Sequence, residues 1–385
     1  MTLAYWGFSR YARLYYQRNN FNMQTIERKN TLFIGVDVHK DTHTAVGISP
    51  FGEKLFELTV GNYGKDFRSL AEKVGSVSVE SKLSPYFGLE DCSGFGERLA
   101  DFLLDSGYAV VHVPPILVDE RRKNETHPEK SDSLDALGVA KVMLTRSDKL
   151  LPYTVTEESR KAKQIKEISM DREFLVSERT RLKNQLHTIL HRLWNTEYGE
   201  KFKDPFSLKA LRYWKGRKPK SADAFLVRSM KRKVGRLLDL HEEITELENE
   251  LEVLLEDSGH TIHTASGCGT TLAAMIVGEI GDINRFRSPA ALAKYAGCAP
   301  REHSSGKSHR HRKTRSGNRR LNSAFHRMAL SQISRSGNDA AKKYYKKKTG
   351  EGKSKSQALV CLRRQLVNVV WMMMKHKTEY VYPQE

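Results

Sequence analysis

One short run constrains this chain more than any other: Leu32-Phe33-Ile34-Gly35-Val36-Asp37-Val38, apolar on both alternating faces and interrupted by a single aspartate. Such a run suits a central strand covered above and below. A carboxylate near its end is costly to bury without a proton, a cation or a metal, so Asp37 needs a partner. The chain then turns through His39-Lys40-Asp41, resumes as a second apolar segment from Thr44 to Ile48, breaks at Ser49-Pro50-Phe51-Gly52, and continues through Leu55 to Val60 at hairpin distance. The spacing predicts a three-stranded meander with an aspartate projecting from its first strand. An aspartate that closes a hairpin at the surface fits this stretch equally well.

Further along, Phe67, Leu70, Ala71 and Val74 fall at helical spacing, and Tyr86 to Leu89 reads as a short buried strand ending in Glu90. A glycine-bracketed turn follows, then a helix with Leu99, Phe102 and Leu103 on its apolar face, and a strand from Tyr108 to Val113. This alternation predicts an α/β layer fold and sets Glu90 at a strand end beside Asp37. A third acidic element, Lys130-Ser131-Asp132-Ser133-Leu134-Asp135-Ala136, reads as a helix entered from the polar loop Arg121 to Glu129. Asp132 and Asp135, at i and i+3, repel one another unless a cation sits between them. Acidic residues also favour a helix N-terminus with no metal involved. Together the four carboxylates occupy a strand, a strand end and a helix start in one domain, which is what a two-metal phosphodiester site needs: hard cations take oxygens converging from several elements.

Two long heptad-compatible segments follow, Ser159 to Trp194 and Val234 to Leu255, the second with Leu237, Leu240, Ile244, Leu247, Leu251 and Leu254 as an unbroken a/d series. A polar, basic stretch from Tyr198 to Ala224 joins them. The segments predict a projecting helical hairpin whose seam helps build an oligomer; pairing within one chain satisfies the same pattern. From Gly267 to Gly281 and Ser288 to Gly297, two short helices rich in small residues resemble a helix-hairpin-helix that brings amides to phosphates, or simply pack closely. Two further helices, Leu321 to Ile333 and Ser356 to Met374, flank the cluster Lys342-Lys343-Tyr344-Tyr345-Lys346-Lys347-Lys348, in which tyrosines can stack while lysines hold phosphates.

Charge points to the partner. The chain carries 65 Lys and Arg against 46 Asp and Glu, a net charge of +19 with a pI near 9.6, and so strong an excess implies a polyanion, with nucleic acid first in line. Between Arg301 and Lys355 there are 17 Lys/Arg against 3 Asp/Glu. The run from Lys307 to Arg320 is too charged to bury, which makes Lys307, Arg310, Arg312, Lys313, Arg315, Arg319 and Arg320 the candidate phosphate contacts. Cys92, Cys268, Cys298 and Cys361 form no C-x-x-C pair, so neither a disulfide framework nor a structural zinc is expected. No apolar run approaches the ~20 residues of a membrane span, and the first residues lack a secretory h-region. A reduced cytoplasm is the expected location. Met1 to Lys29 lacks periodicity and reads as a tail, with Met23 as a possible start, or as a basic-aromatic arm for nucleic acid.

Several blocks are similar to one family, the DEDD transposases of bacterial insertion sequences, described as bridge-RNA-guided recombinases. They are Gly35-Val36-Asp37-Val38-His39-Lys40, the Glu90 strand end, Lys130 to Ala136, and the C-terminal blocks from Gly267 onward. The resemblance covers roughly everything after Met23. It departs at Asp91-Cys92-Ser93, where a threonine two residues after the glutamate is expected. The resemblance implies an extension over 1–29, a RuvC-like (RNase H-like) α/β domain over 30–155, a helical coiled-coil hairpin over 156–258 and a mostly α-helical basic domain over 259–385. It implies that Asp37, Glu90, Asp132 and Asp135 bind Mg2+, and that a serine before Gly306 attacks DNA. That serine is Ser305, or Ser304 next to it. It further implies donor and target DNA, a guide RNA, and a dimer or tetramer. The rival expectation is a RuvC-like junction resolvase in which metal-activated water attacks and Ser305 is structural.

Overall fold

The first strand, β1 (Thr31–Val38), is buried along nearly its whole length, as its two-faced apolar pattern requires. The computed structural model describes residues 27–381 apart from 93, 123–130, 148–149, 218–222, 300, 306–307 and 313–316, and gives the backbone alone for Arg122, Leu151, Arg301–Ser305 and Ser308–Arg312. The extension up to residue 26, most of the polar loop before the acidic helix, Lys130, Lys307, Lys313 and Arg315 therefore lie outside the described residues. The chain divides into two compact units, one reaching Val155 and one starting at Thr156. Among the described residues no helix is long and apolar enough to cross a membrane.

In the first unit, β1 is followed by β2 (Thr42–Ile48), β3 (Lys54–Gly61), α1 (Gly64–Ser81), β4 (Ser84–Leu89), α2 (Glu97–Asp105), β5 (Ala109–His112), α3 (Pro115–Arg122), α4 (Asp132–Arg146) and β6 (Leu151–Pro152). The strands form one sheet in the order β3-β2-β1-β4-β5-β6. The expected meander is the antiparallel part, and β4 and β5 continue it in parallel. Alternate residues of β1 feed two cores. Leu32, Ile34 and Val36 pack with Phe67 and Leu70 of α1 and Leu99 of α2, while Phe33 packs with Val118 of α3 and Val139 and Met143 of α4. The α/β layers anticipated from the alternation are these.

Helix α1 runs two turns beyond its expected end at Val74. Serines make that segment look like loop, yet the Ser81 hydroxyl donates to the Val77 carbonyl at 2.6 Å and Val77 is buried. Lys82 ends the helix in the left-handed region at φ 57°.

The second unit contains α5 (Glu157–Trp194), α6 (Glu197–Lys201), α7 (Leu208–Gly216), α8 (Ala224–Ser258), α9 (Thr270–Ile280), α10 (Pro289–Tyr295), the hairpin β7 (Arg301–Ser305) and β8 (Ser308–Arg312), then α11 (Arg319–Ile333), α12 (Asp339–Gly350) and α13 (Lys355–His376). α5 and α8 lie antiparallel, as three cross-pairs demonstrate: Lys161 with Asp257 at 2.8 Å, Arg172 with Glu248 at 2.5 Å, and Arg236 with Glu178 at 2.9 Å. The a/d seam is filled from within the chain, with Leu237, Leu240, Ile244 and Leu251 at most 2% exposed. Of the two readings of the seam, pairing within one chain is present here, with Leu247 and Leu254 left half-buried. At one end of the pair, Ala162, Ile165, Leu251 and Leu255 share a core with α9 to α13. At the other, the stretch read as a joining loop folds into α6 and α7; Phe206 between them and Leu211 and Trp214 of α7 pack with Leu186 and Met230.

One open reading is narrowed here and two expectations change. The small residues of α9 serve close packing: a Cβ on Gly278 would meet the Lys166 backbone at 2.8 Å, and every residue from Leu272 to Ile280 is buried. The Lys-Tyr cluster, placed between two helices, forms α12, N-capped by Asn338 and anchored by Ala341. The basic run carries a β-hairpin whose strands contain no apolar residue, which is why alternation could not reveal it.

Candidate metal centre

Asp37 sits at the end of β1, 6% exposed. Val36 pairs with Leu89 of the parallel neighbour β4, so the chain leaves the sheet at Glu90, the next residue, alongside the Asp37 end of β1; the group of three potential ligands contains Asp37 and Asp132 but not Glu90 or Asp135. Its carbonyl is held 2.8 Å from Nε2 of His112 at the end of the next strand, which fixes the backbone where the glutamate leaves the sheet. The unexpected Asp91 closes a turn, accepting from the backbone N–H groups of Gly94 at 2.8 Å and Phe95 at 3.1 Å, and Cys92 is buried beneath it.

Asp132 and Asp135 lie in the first turn of α4. Ser131 caps that helix, accepting from the Leu134 N–H at 3.3 Å, and Ser133 donates to Glu57 of β3 at 2.7 Å. α4 can reach the sheet because position 35 lacks a side chain: a Cβ there would meet the Ala136 carbonyl at 2.2 Å and the Ala140 nitrogen at 2.3 Å. This close approach brings the helix start to the Asp37 strand end.

His39, one turn beyond Asp37, completes the cluster. Its Nε2 lies 3.1 Å from Asp37 Oδ2 and 3.3 Å from Asp132 Oδ1, and one ligand atom from each of the three residues falls within 4.8 Å of the others. Sequence reading passed over this histidine as a turn residue, although its place two residues after the aspartate was the available signal. Burial holds the Asp37 carboxyl above its ordinary range; the His39 ring opposes this, and Asp135 and Asp132 reinforce it by like-charge repulsion. Asp37 Oδ2 is buried and accepts no hydrogen bond. A buried carboxylate oxygen without a donor, facing a second carboxylate and an imidazole, fits a divalent cation.

The serine candidates belong to the second unit. Ser305 pairs with Ser308 in the last register position of the β7–β8 hairpin and Ser304 with His309, while Arg310 and Arg312 lie on β8 opposite His303 and Arg301. Arg319 is exposed at the start of α11. Arg320 is engaged otherwise: its Nη1 lies 2.5 Å from Oε1 of Glu279, a carboxylate only 4% exposed, its Nε donates to Glu173 at 3.1 Å, and its Nη2 donates to Ser169 at 3.3 Å. Asn318, the N-cap of α11, donates to the other Glu279 oxygen at 2.5 Å. This network anchors the helix that follows the basic run.

A mixed sheet presenting an acidic strand end to a helix start bearing two more aspartates fits a transposase domain of the DEDD class. Residues 34–195 match the family model for the DEDD transposase of IS110, and residues 259–346 match the model described as transposase of the IS116/IS110/IS902 family. The chain belongs to the IS110/IS116 family of insertion-element transposases. It is similar to an uncharacterized protein of insertion element IS116 from Streptomyces clavuligerus, at 26% identity over 91% of this chain and 96% of that protein. A transposase for insertion sequence element IS1111A from Coxiella burnetii is 24% identical over 74% and 73% of the two chains. A pilin gene-inverting protein from Moraxella bovis is 22% identical over 90% and 97%.

Proposed function

We propose that this protein cleaves and rejoins the DNA strands of an insertion sequence, with Asp37, Glu90, Asp132 and Asp135 holding Mg2+ and Ser305 as the nucleophile. The observation that carries the reading is the donorless buried oxygen of Asp37, 3.1 Å from His39 and in a cluster with Asp132, in a chain of a transposase family. A bound divalent ion would supply Lewis-acid stabilisation of charge on the scissile phosphate. Asp37 and Glu90 offer oxygens from adjacent strand ends and Asp132 and Asp135 from one helical turn, with His39 as a further ligand or counter-charge. The Ser305 hydroxyl, on losing its proton, bonds to phosphorus as the strand's ribose oxygen leaves and takes up a proton. The phosphoserine ester keeps the bond energy for a second attack by the hydroxyl of another strand, which displaces the serine. The name of the pilin gene-inverting relatives supports rejoining, because inversion restores every bond that it breaks.

The finer parts of this reading are an RNase H-like, RuvC-like first domain, a coiled-coil hairpin, a guide RNA pairing with donor and target, assembly as a dimer or tetramer, and a cytoplasmic location. The sheet order supports the first and the heptad seam the second.

The test is a denaturing gel of labelled donor DNA, with the RNA that co-purifies and Mg2+. Wild type is expected to form a protein-DNA adduct and Ser305→Ala none, while Asp37→Asn binds nucleic acid and cuts nothing. An adduct lost only in Ser304→Ala moves the role by one residue. Cleavage that persists in Ser305→Ala without any adduct identifies a water-using resolvase and overturns the covalent mechanism.

A further inference from the structure

The Arg301–Lys355 segment is one of two concentrations of positive charge. Between Arg179 and Arg236 the chain carries 17 Lys/Arg against four Asp/Glu. From Leu237 to Ser258 there are nine Asp/Glu and no Lys or Arg. The fold turns this uneven sequence into a spatial division. The far half of α5, α6, α7 and the first third of α8 all meet in the cluster around Trp214, Leu186, Met230 and Val234, so the basic residues on these elements belong to one cap; Lys218 and Lys220 lie outside the described residues. The acidic run lines the rest of α8, toward the core shared with α9 to α13.

α5 has 38 residues and is therefore about 57 Å long, several times the ~8 Å screening length at physiological salt. The acidic run begins where the cap ends, and there Arg236 is paired with Glu178 and Glu243, but its far end lies well beyond screening reach of the α7 cations. Within the cap, Lys209, Arg212 and Lys215 are exposed along the outer face of α7, whose inner face buries Ala210, Leu211 and Trp214. Lys201 and Arg217 lie over the Tyr213 ring, at 4.6 and 4.5 Å from its centroid. Trp214 is turned inward, with its Nε1 donating to the Pro205 carbonyl at 3.0 Å. Among the described residues the cap therefore offers cations, with Phe225 as its exposed ring and Tyr213 covered by Lys201 and Arg217.

We infer that this cap is a second nucleic-acid docking surface, distinct from the basic run of residues 307–320, and that its occupant is the phosphate backbone of duplex DNA. Cations without stacking platforms suit a paired helix rather than single strands, and duplex DNA is the material a transposase works on.

The test uses the full chain in EDTA, which separates docking from the metal reading. Fluorescence anisotropy of a 30-base-pair DNA is measured against salt for wild type, for Lys209→Glu/Arg212→Glu/Lys215→Glu, and for Lys65→Glu/Arg68→Glu/Lys73→Glu on α1, which makes the same change in net charge elsewhere. Melting followed by circular dichroism checks folding. If the α7 triple variant unfolds, the corresponding triple Gln variant takes its place. The α7 variant is expected to bind at least tenfold more weakly, with the log–log salt slope reduced by about 2–3, while the α1 variant matches wild type. Equal weakening in both charge variants, or in neither, overturns the proposal. Loss confined to a duplex or single-stranded RNA competitor, with DNA binding intact, overturns it in favour of an RNA surface.

Discussion

Asp37 and His260 are both buried with titratable atoms that lack hydrogen-bond partners, and the consequences differ. Asp37 faces its cluster, so added Mg2+ should stabilise the protein. At ten times the dissociation constant, binding contributes about 1.4 kcal/mol, read as a rise in Tm that Asp132→Asn diminishes and calcium chelation leaves untouched. His260, 2% exposed, has Glu158 Oε1 3.1 Å from its Nε2 without alignment for a hydrogen bond. Burial first and the Lys377 charge second, against Asp282, lower its pKa from 6.5 to about 4. The unfolded ring takes up a proton near pH 6.5 and the folded ring only near 4. Its contribution is therefore complete above pH 6.5 and is lost as the pH falls toward 4, by about 3 kcal/mol at most. Glu158, raised by burial, acts in the opposite direction over its own range. In urea melts from pH 7 to 4, His260→Gln should therefore lose stability less steeply than wild type.

Neighbouring arginines show how an element divides its charges. Arg320→Ala leaves Glu279 buried without its guanidinium and is expected to cost about 3 kcal/mol in the urea midpoint. Arg319→Ala, at the exposed position, should leave the midpoint in place and weaken DNA binding. In the sequence the two are indistinguishable, because the Glu279 partner lies some forty residues upstream on an otherwise apolar helix. By contrast, the strand carrying Asp37, the Glu90 strand end and the Asp132/Asp135 helix were legible, since each depends on local pattern. The His39 contact, the β7–β8 hairpin and the α7 packing were not: they depend on tertiary neighbours or on strands without apolar residues. The seam of α8 was legible as a seam and ambiguous as to its partner. Leu240→Ala should cost about 2–5 kcal/mol while light scattering reports an unchanged mass.

For the molecule as a whole, the proposed mechanism would divide its groups between two compact units, with the acids in the first and the serine hairpin in the second. The first unit's part depends on a distance set by something missing. Gly35 carries no reactive group, yet the α4 backbone occupies the space where its Cβ would be. A single methyl there moves the Asp132 turn away from Asp37 while leaving all four carboxylates written in the gene. Copies of an insertion sequence accumulate substitutions as they sit in a genome, so one that reads as intact at every acid can already be silent at a glycine. A census of live elements that counts only acidic signatures will overstate how many can still move.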